Sequence, residues 1–272
     1  MTAIAAFRAL HDSGCFVIPN PWDVGSAKYL GHLGFKALAT SSAGVAFTRG
    51  LPDDVTAMSR DAMLEHIRDI VAATPLPVNA DFQAGYADQP EAVATNVTAC
   101  VATGVAGLSI EDATGDLVAP LYDRALAIER VRAARSAIDR AGVPIVLTAR
   151  CEAFLVGHPD AARIVLDRLV AFADAGADCL YAPRLPDLAA VAAVVAAVAP
   201  KPVNVLVASH APRFSVPRLA DLGVRRVSVG SALARVAWGA FIRSATAILE
   251  TGTFDSFADA ASFGELDTVF RK

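Results

Sequence analysis

Little in this 272-residue chain points to redox, metal-thiolate or nucleic-acid chemistry. Its four cysteines, Cys15, Cys100, Cys151 and Cys179, lie far apart and form no CxxC pair. That excludes a zinc ribbon or a thioredoxin-type motif. Isolated cysteines in apolar runs behave as small hydrophobes and suit a reducing, cytoplasmic setting. Basic residues are not in excess: the formal net charge is −4. A nucleic-acid partner is therefore not expected, because phosphate binding needs a basic surface. The GxGxxG that opens an open dinucleotide-binding sheet is missing after the first apolar run. The alanine- and valine-rich stretch 188–200 is too short to span a bilayer, and the N-terminus, with Arg8 and Asp12, does not read as a signal peptide. No membrane partner is expected.

What is present is apolar and rhythmic. Hydrophobic residues make up 54% and charged ones 19%, enough for a large core. Short continuous apolar runs recur: CFVIP, KALAT, LPVNA, AGLSI, PIVLT, DCLYA, KPVNVLV and RRVSV. Unbroken rather than alternating apolarity is the pattern of parallel strands covered on both faces. Helical patterns lie between them. Val165, Leu169 and Phe172 share a helical face, with Gly176 as the stop signal. Ile128, Val131 and Ile138 share another, with Asp123 as N-cap and Gly142 beyond the end. Eight strand–helix units in one domain, residues 1–272, predict an α/β fold: a (β/α)8 TIM-type barrel, which typically takes about 250 residues. The tail, residues 253–272, reads as an additional helical element, with Phe254, Phe257, Phe263 and Phe270 marking it for docking on this chain or on another subunit.

In such barrels the chemistry sits at the C-terminal ends of the strands. There the sequence places Asn20 and Trp22, Ser41 to Gly44, Asp81 and Gln83, Glu111 and Asp112, Arg150 and Glu152, Arg184, Asn204, and Gly230 with Ser231. Asp81 and Glu111 end neighbouring strands, so their oxygens can converge on one hard cation such as Mg2+, with Mn2+ as the alternative. Arg150 suits a substrate carboxylate, and the turn Ser41–Ser42–Ala43–Gly44 suits an anion. Plainer readings stand beside these. A strand-end acid also serves as a helix cap, Arg150 and Glu152 also make a structural ion pair, and Trp22 also fits a core. Three of the histidines, His11, His32 and His66, fall in helical patterns and read as surface residues.

Five ordered motifs, NPWDVGSAKYLGHLGFKALATSSAGVA, LPDD, ADFQAGYAD, SIED and TARCEAF, resemble the phosphoenolpyruvate mutase/isocitrate lyase superfamily. The resemblance covers residues 16–241. It implies a barrel whose helices are partly exchanged in homodimers or homotetramers, Mg2+, and a 2-oxo acid or enolpyruvate species. By resemblance Asp81 and Glu111 are metal-site acids, with Gln83 standing where the family has a further acid. Arg150 holds the substrate, Trp22, Ser42 and Gly44 form the pyruvyl pocket, Asp53 is an acid on a mobile loop, and Asn204 is a substrate contact. The chain departs from the pattern at Ala113, where the family has lysine, and in the segment ATGDLVAPLYDR, which lacks the gating-loop cysteine of the lyases. Tyr122, the one phenol in that segment, is the candidate replacement acid. The expected enzyme is a Mg2+-dependent carbon–carbon lyase or decarboxylase acting on a small 2-oxo or 2-hydroxy carboxylic acid. The alternatives are a phosphonate P–C mutase or hydrolase, and a catalytically weak 2-oxo-acid-binding protein.

Overall fold

A computed structural model describes residues 1–271. Eight parallel strands, β1 (Phe16–Ile18), β2 (Leu38–Ala39), β3 (Val78–Asp81), β4 (Gly107–Glu111), β5 (Val146–Arg150), β6 (Cys179–Tyr181), β7 (Val203–Leu206) and β8 (Arg226–Ser228), run in the spatial order β1-β8-β7-β6-β5-β4-β3-β2. The seam between β1 and β2 is bridged where the Ala39 N–H donates to the Pro19 carbonyl at 3.0 Å and the Asn20 amide donates to the Thr40 carbonyl at 3.0 Å. Around this nearly closed barrel lie α1 (Ala3–Asp12), α2 (Val24–His32), α3 (Ser42–Thr48), α4 (Arg60–Ala72), α5 (Pro90–Val101), α6 (Arg124–Arg140), α7 (Ala161–Asp174), α8 (Leu188–Val198), α9 (Val216–Asp221), α10 (Ala232–Thr251) and α11 (Phe263–Phe270). This is the (β/α)8 barrel that the alternating pattern predicts.

Local sequence explains the borders. The Asp123 carboxylate accepts from the Ala125 N–H and caps α6. Asp23 and Ser26 cap α2 reciprocally. Val165, Leu169 and Phe172 are buried on α7, as their spacing predicts. Gly176 follows that helix at φ +102°, and a Cβ there would stand 2.7 Å from the Arg135 side chain. Glycine therefore meets both a backbone and a packing requirement at this helix-to-strand turn.

The N-terminal end of the barrel is sealed by α1. Phe7 is fully buried against Ile18, Ala39, Ala106 and Val146. Burying such a ring contributes about 1.5–3 kcal/mol. Gly107 opens β4 beneath it, where a Cβ would fall 2.6 Å from the Phe7 ring. Two histidines expected at the surface are not there. His66 is 7% exposed on α4, and its pKa is lowered to about 4, first by burial and then by Arg49. His11 packs edge-on against Phe7 and Phe16. The long α4 and α1 each turn one face inward, and these residues fall on it.

The tail is helical, with a 3-10 turn at Asp255–Asp259 before α11. Val269 is buried, and the Tyr29 hydroxyl of α2 donates to Glu265 of α11. Lys272, the last residue of the expected tail, lies outside the described residues. By contrast α10 buries only Ala234. It is 20 residues long and holds an 18-residue window of mean hydropathy 1.3, so by length and composition alone it passes as a candidate membrane span. Its place directly after β8 is that of the eighth barrel helix.

Candidate active site

The charged strand ends converge because the sheet puts them in register. Glu111 stands opposite Arg150, and Arg150 opposite Tyr181. They open onto a cavity of about 630 Å³ at the C-terminal mouth, which is also lined by Ser41, Ser42, Ala43, Asp53, Asp81, Gln83 and Glu152. These are elements far apart in sequence, joined only by barrel closure.

Asp81 both caps and faces the cavity. One carboxylate oxygen accepts from the Ser42 N–H and hydroxyl, each at 2.9 Å. The other lies 3.7 Å from Arg150 Nη1. The serine turn therefore spends donors on Asp81, and the Gly44 N–H is spent on Ser41 Oγ at 3.1 Å. The Ser42 N–H and hydroxyl and the Gly44 N–H of this turn are thus engaged within the protein.

Arg150 is the hub. Its Nε donates to Glu152, its Nη2 donates to the other Glu152 oxygen at 3.1 Å, and Nη1 lies 3.2 Å from Glu111. Its guanidinium carbon stands 5.1 Å from the centre of the Tyr181 ring. The plain ion-pair reading of Arg150 and Glu152 thus holds, and Arg150 still lines the cavity. Glu152 is 1% exposed, and its N–H donates to Asp112 at 2.7 Å. Asp112 is buried and paired with Arg168 at 2.8 Å.

Three carboxylates, Asp81, Glu111 and Glu152, thus surround one guanidinium. The excess of negative charge marks the electrostatics. Glu111 is pushed up to about 8, first by burial, partly offset by Arg150, and further by the neighbouring acids Glu152 and Asp81. Burial pulls the Arg150 pKa down, but Glu111, Glu152, Tyr181 and Asp81 together outweigh it and hold the group well above its usual value. Asp53, exposed on the rim, is raised by partial desolvation and then by the Asp81 charge. Burial first, and then Glu152 and Asp81 among its charged neighbours, push the Tyr181 phenol up to about 12, so it keeps its proton.

This donor set fits Mg2+. Asp81 and Glu111 offer two carboxylates, oxygen only, on the wall of an acid-rich cavity, and Mg2+ is commonly held by one or two carboxylates with waters completing the shell. No group of three His, Cys, Asp or Glu side chains able to hold a metal occurs among the described residues.

The loop after β3 is strained. Gln83 and Tyr86 have φ of +46° and +55°, values unusual for residues with a Cβ, and Arg184, in the loop after β6, has φ of +59°. Buried Arg130 fixes the loop after β3 by donating to the carbonyls of Ala84, Ala87 and Asp88. The Gln83 backbone carbonyl accepts from the Glu111 N–H at 2.9 Å, while its side chain lines the cavity.

Four expected residues stand elsewhere. Tyr122 does not line the cavity; its hydroxyl donates to Asp88 at 2.5 Å and Arg130 stacks 3.9 Å over its ring. Asn204 lies in the barrel interior, donating to Ser228 and accepting from Arg226, each at 2.9 Å. Trp22 and Gly44 pack on each other behind the serine turn, where a Cβ on Gly44 would meet Trp22 at 3.2 Å. Conversely, sequence reasoning did not single out Tyr181 or Arg235, which line the cavity. The alternation of β6 put Tyr181 on the same side as Asn204, its register partner, and was the available signal.

With this geometry in hand, comparison with known proteins is decisive. The family described as phosphoenolpyruvate phosphomutase matches residues 7–249. The chain belongs to the phosphoenolpyruvate mutase/isocitrate lyase superfamily. It is similar to a solved structure of a putative lyase/mutase from Burkholderia cenocepacia J2315, with 48% identity, a TM-score of 0.95, and 99% and 96% of the two chains covered. It is similar to that of 2,3-dimethylmalate lyase, with 26% identity, a TM-score of 0.88, and 99% and 95% covered. Over 162 residues it is 33% identical to 2-methylisocitrate lyase of Salmonella typhimurium, covering 57% of this chain and 53% of that protein. Superfamily relatives are lyases and mutases, the enzyme class expected from the sequence.

Proposed function

We propose that this enzyme is a Mg2+-dependent carbon–carbon lyase or decarboxylase for a small 2-oxo or 2-hydroxy carboxylic acid. The observation that carries this reading is the convergence of Asp81, Glu111 and Arg150 on one acid-rich cavity. Asp81 and Glu111 would hold Mg2+, which when bound supplies charge to polarise the 2-oxo or 2-hydroxy oxygen. Arg150, held by Glu152, presents Nη1 to the substrate carboxylate. Asp53, with its raised pKa, takes the proton of a 2-hydroxyl as the C–C bond breaks. The carbanionic fragment then takes a proton from a phenol, and the phenol that lines the cavity is Tyr181. The same reading has the enzyme working in the cytoplasm as a homo-oligomer, and what supports the assembly is one face of α10 on which Trp238, Phe241, Ile242 and Leu249 are exposed, an apolar strip for a second copy to cover.

The test is thermal melting with and without Mg2+ across pyruvate, oxalate and oxaloacetate, followed by assay of pyruvate release from oxaloacetate and substituted malates. A ligand that binds the folded state raises the melting point by mass action. A Mg2+-dependent rise and product release are expected. No rise with any acid would sink the reading, and a rearranged phosphonate from phosphonopyruvate would move the chemistry to the P–C bond.

A further inference from the structure

Beside the acid-rich cavity lies a second one of about 490 Å³, and the two share Arg184, Leu206, Ala208 and Arg235. Its outer wall adds Arg213 and His210. The charge reverses between the two: acids crowd the inner cavity, while no carboxylate stands within ion-pair reach of Arg184, Arg213 or Arg235 among the described residues. Arg184 is held in the left-handed region at φ +59°, a conformation a side chain adopts at a cost. Arg235 Nη1 donates to the Ala208 carbonyl at 3.3 Å, which ties it to the shared wall and leaves its other donors free.

We infer that this basic annex is a second anion subsite, and that the enzyme's substrate carries a distal anionic group several bonds from its 2-oxo or 2-hydroxy end. The inference rests on the proposed reading of the inner cavity. With the reacting end among Asp81, Glu111 and Arg150, the far end of an extended substrate reaches the shared wall at Arg184 and Arg235. Their forked donors match a carboxylate or a phosphoryl group. The annex thus acts in selection, favouring long bis-anionic acids over short ones.

The test is calorimetric titration in the presence of Mg2+, using oxalate for the inner cavity and two long probes, 2-oxoadipate and 2-oxo-4-phosphonobutanoate. The affinity ratio of each long probe to oxalate is compared in the wild type, Arg184→Ala and Arg235→Gln. A fall in that ratio of about tenfold or more in either variant is expected, as for loss of a charged hydrogen bond. The probe with the larger fall identifies the distal group as carboxylate or phosphoryl. An unchanged ratio for both probes overturns the annex while leaving the inner site intact. Absence of oxalate binding to the wild type overturns the inner-site reading and this one with it. Both arginines are exposed, so the variants should fold, and unchanged melting points without ligand confirm that the ratio reads recognition.

Discussion

The two ends of the barrel are made by the same strands and put to opposite uses. At the N-terminal end Phe7, Ile18 and Val146 form an apolar floor, and even the Cβ of Gly107 is given up to let the ring in. At the C-terminal end Asp81, Glu111, Arg150 and Glu152 keep charges where burial is costly. One end spends its sequence on stability, and the other spends stability on a charged cavity. The strained residues follow the same division, since Gln83 and Arg184 both line the cavity at the mouth.

Substitutions at each end should separate stability from activity. The largest effect is expected at the floor: Phe7→Ala should cost about 3–5 kcal/mol in denaturant unfolding. A cost below about 1 kcal/mol would show that the ring does not seal the barrel. At the mouth, Arg150→Ala should lower kcat/KM by about 10²–10³, the size expected for losing a charged group at the reacting centre. Activity surviving that change would make Arg150 a purely structural partner of Glu152. Tyr181→Phe should fall in the same class, whereas Tyr122→Phe should leave activity intact.

The acid crowd also predicts a pH dependence. Glu111 binds its proton more tightly folded, at about 8, than at its usual 4.5, so the folded state holds more protons between these values. Its contribution is full below pH 4.5 and is lost as pH rises through about 8. Glu152 is shifted the same way by burial. In the metal-free protein, Glu111→Gln should remove part of this decline, read as the difference in unfolding midpoint from the wild type at pH 5 and pH 8. Equal slopes would place Glu111 outside the coupled cluster. A smaller effect is expected at Gln83→Asp. The added carboxylate should tighten Mg2+ severalfold in titration, and no change would remove Gln83 from the metal's surroundings. The smallest is the stability cost of Tyr122→Phe, about 1 kcal/mol for its bond to Asp88.

The sequence by itself determined the barrel. Each of the eight apolar runs overlaps a strand, and Asp81, Glu111 and Arg150 are the last residues of theirs. Periodicity and caps are local signals, so they survive reading one segment at a time. Only the tertiary structure decided how the polar residues are spent. Asn204 and Tyr122 have the right chemistry at plausible positions, yet neighbours from remote segments, Arg226 and Asp88, claim them. Tyr181 reads as one more apolar residue of β6 until register sets it beside Arg150. The Asp81 carboxylate, isolated from any cation in sequence, meets Ser42 and Arg150 only when the barrel closes. A side chain's partner is fixed by long-range packing, which no single segment encodes.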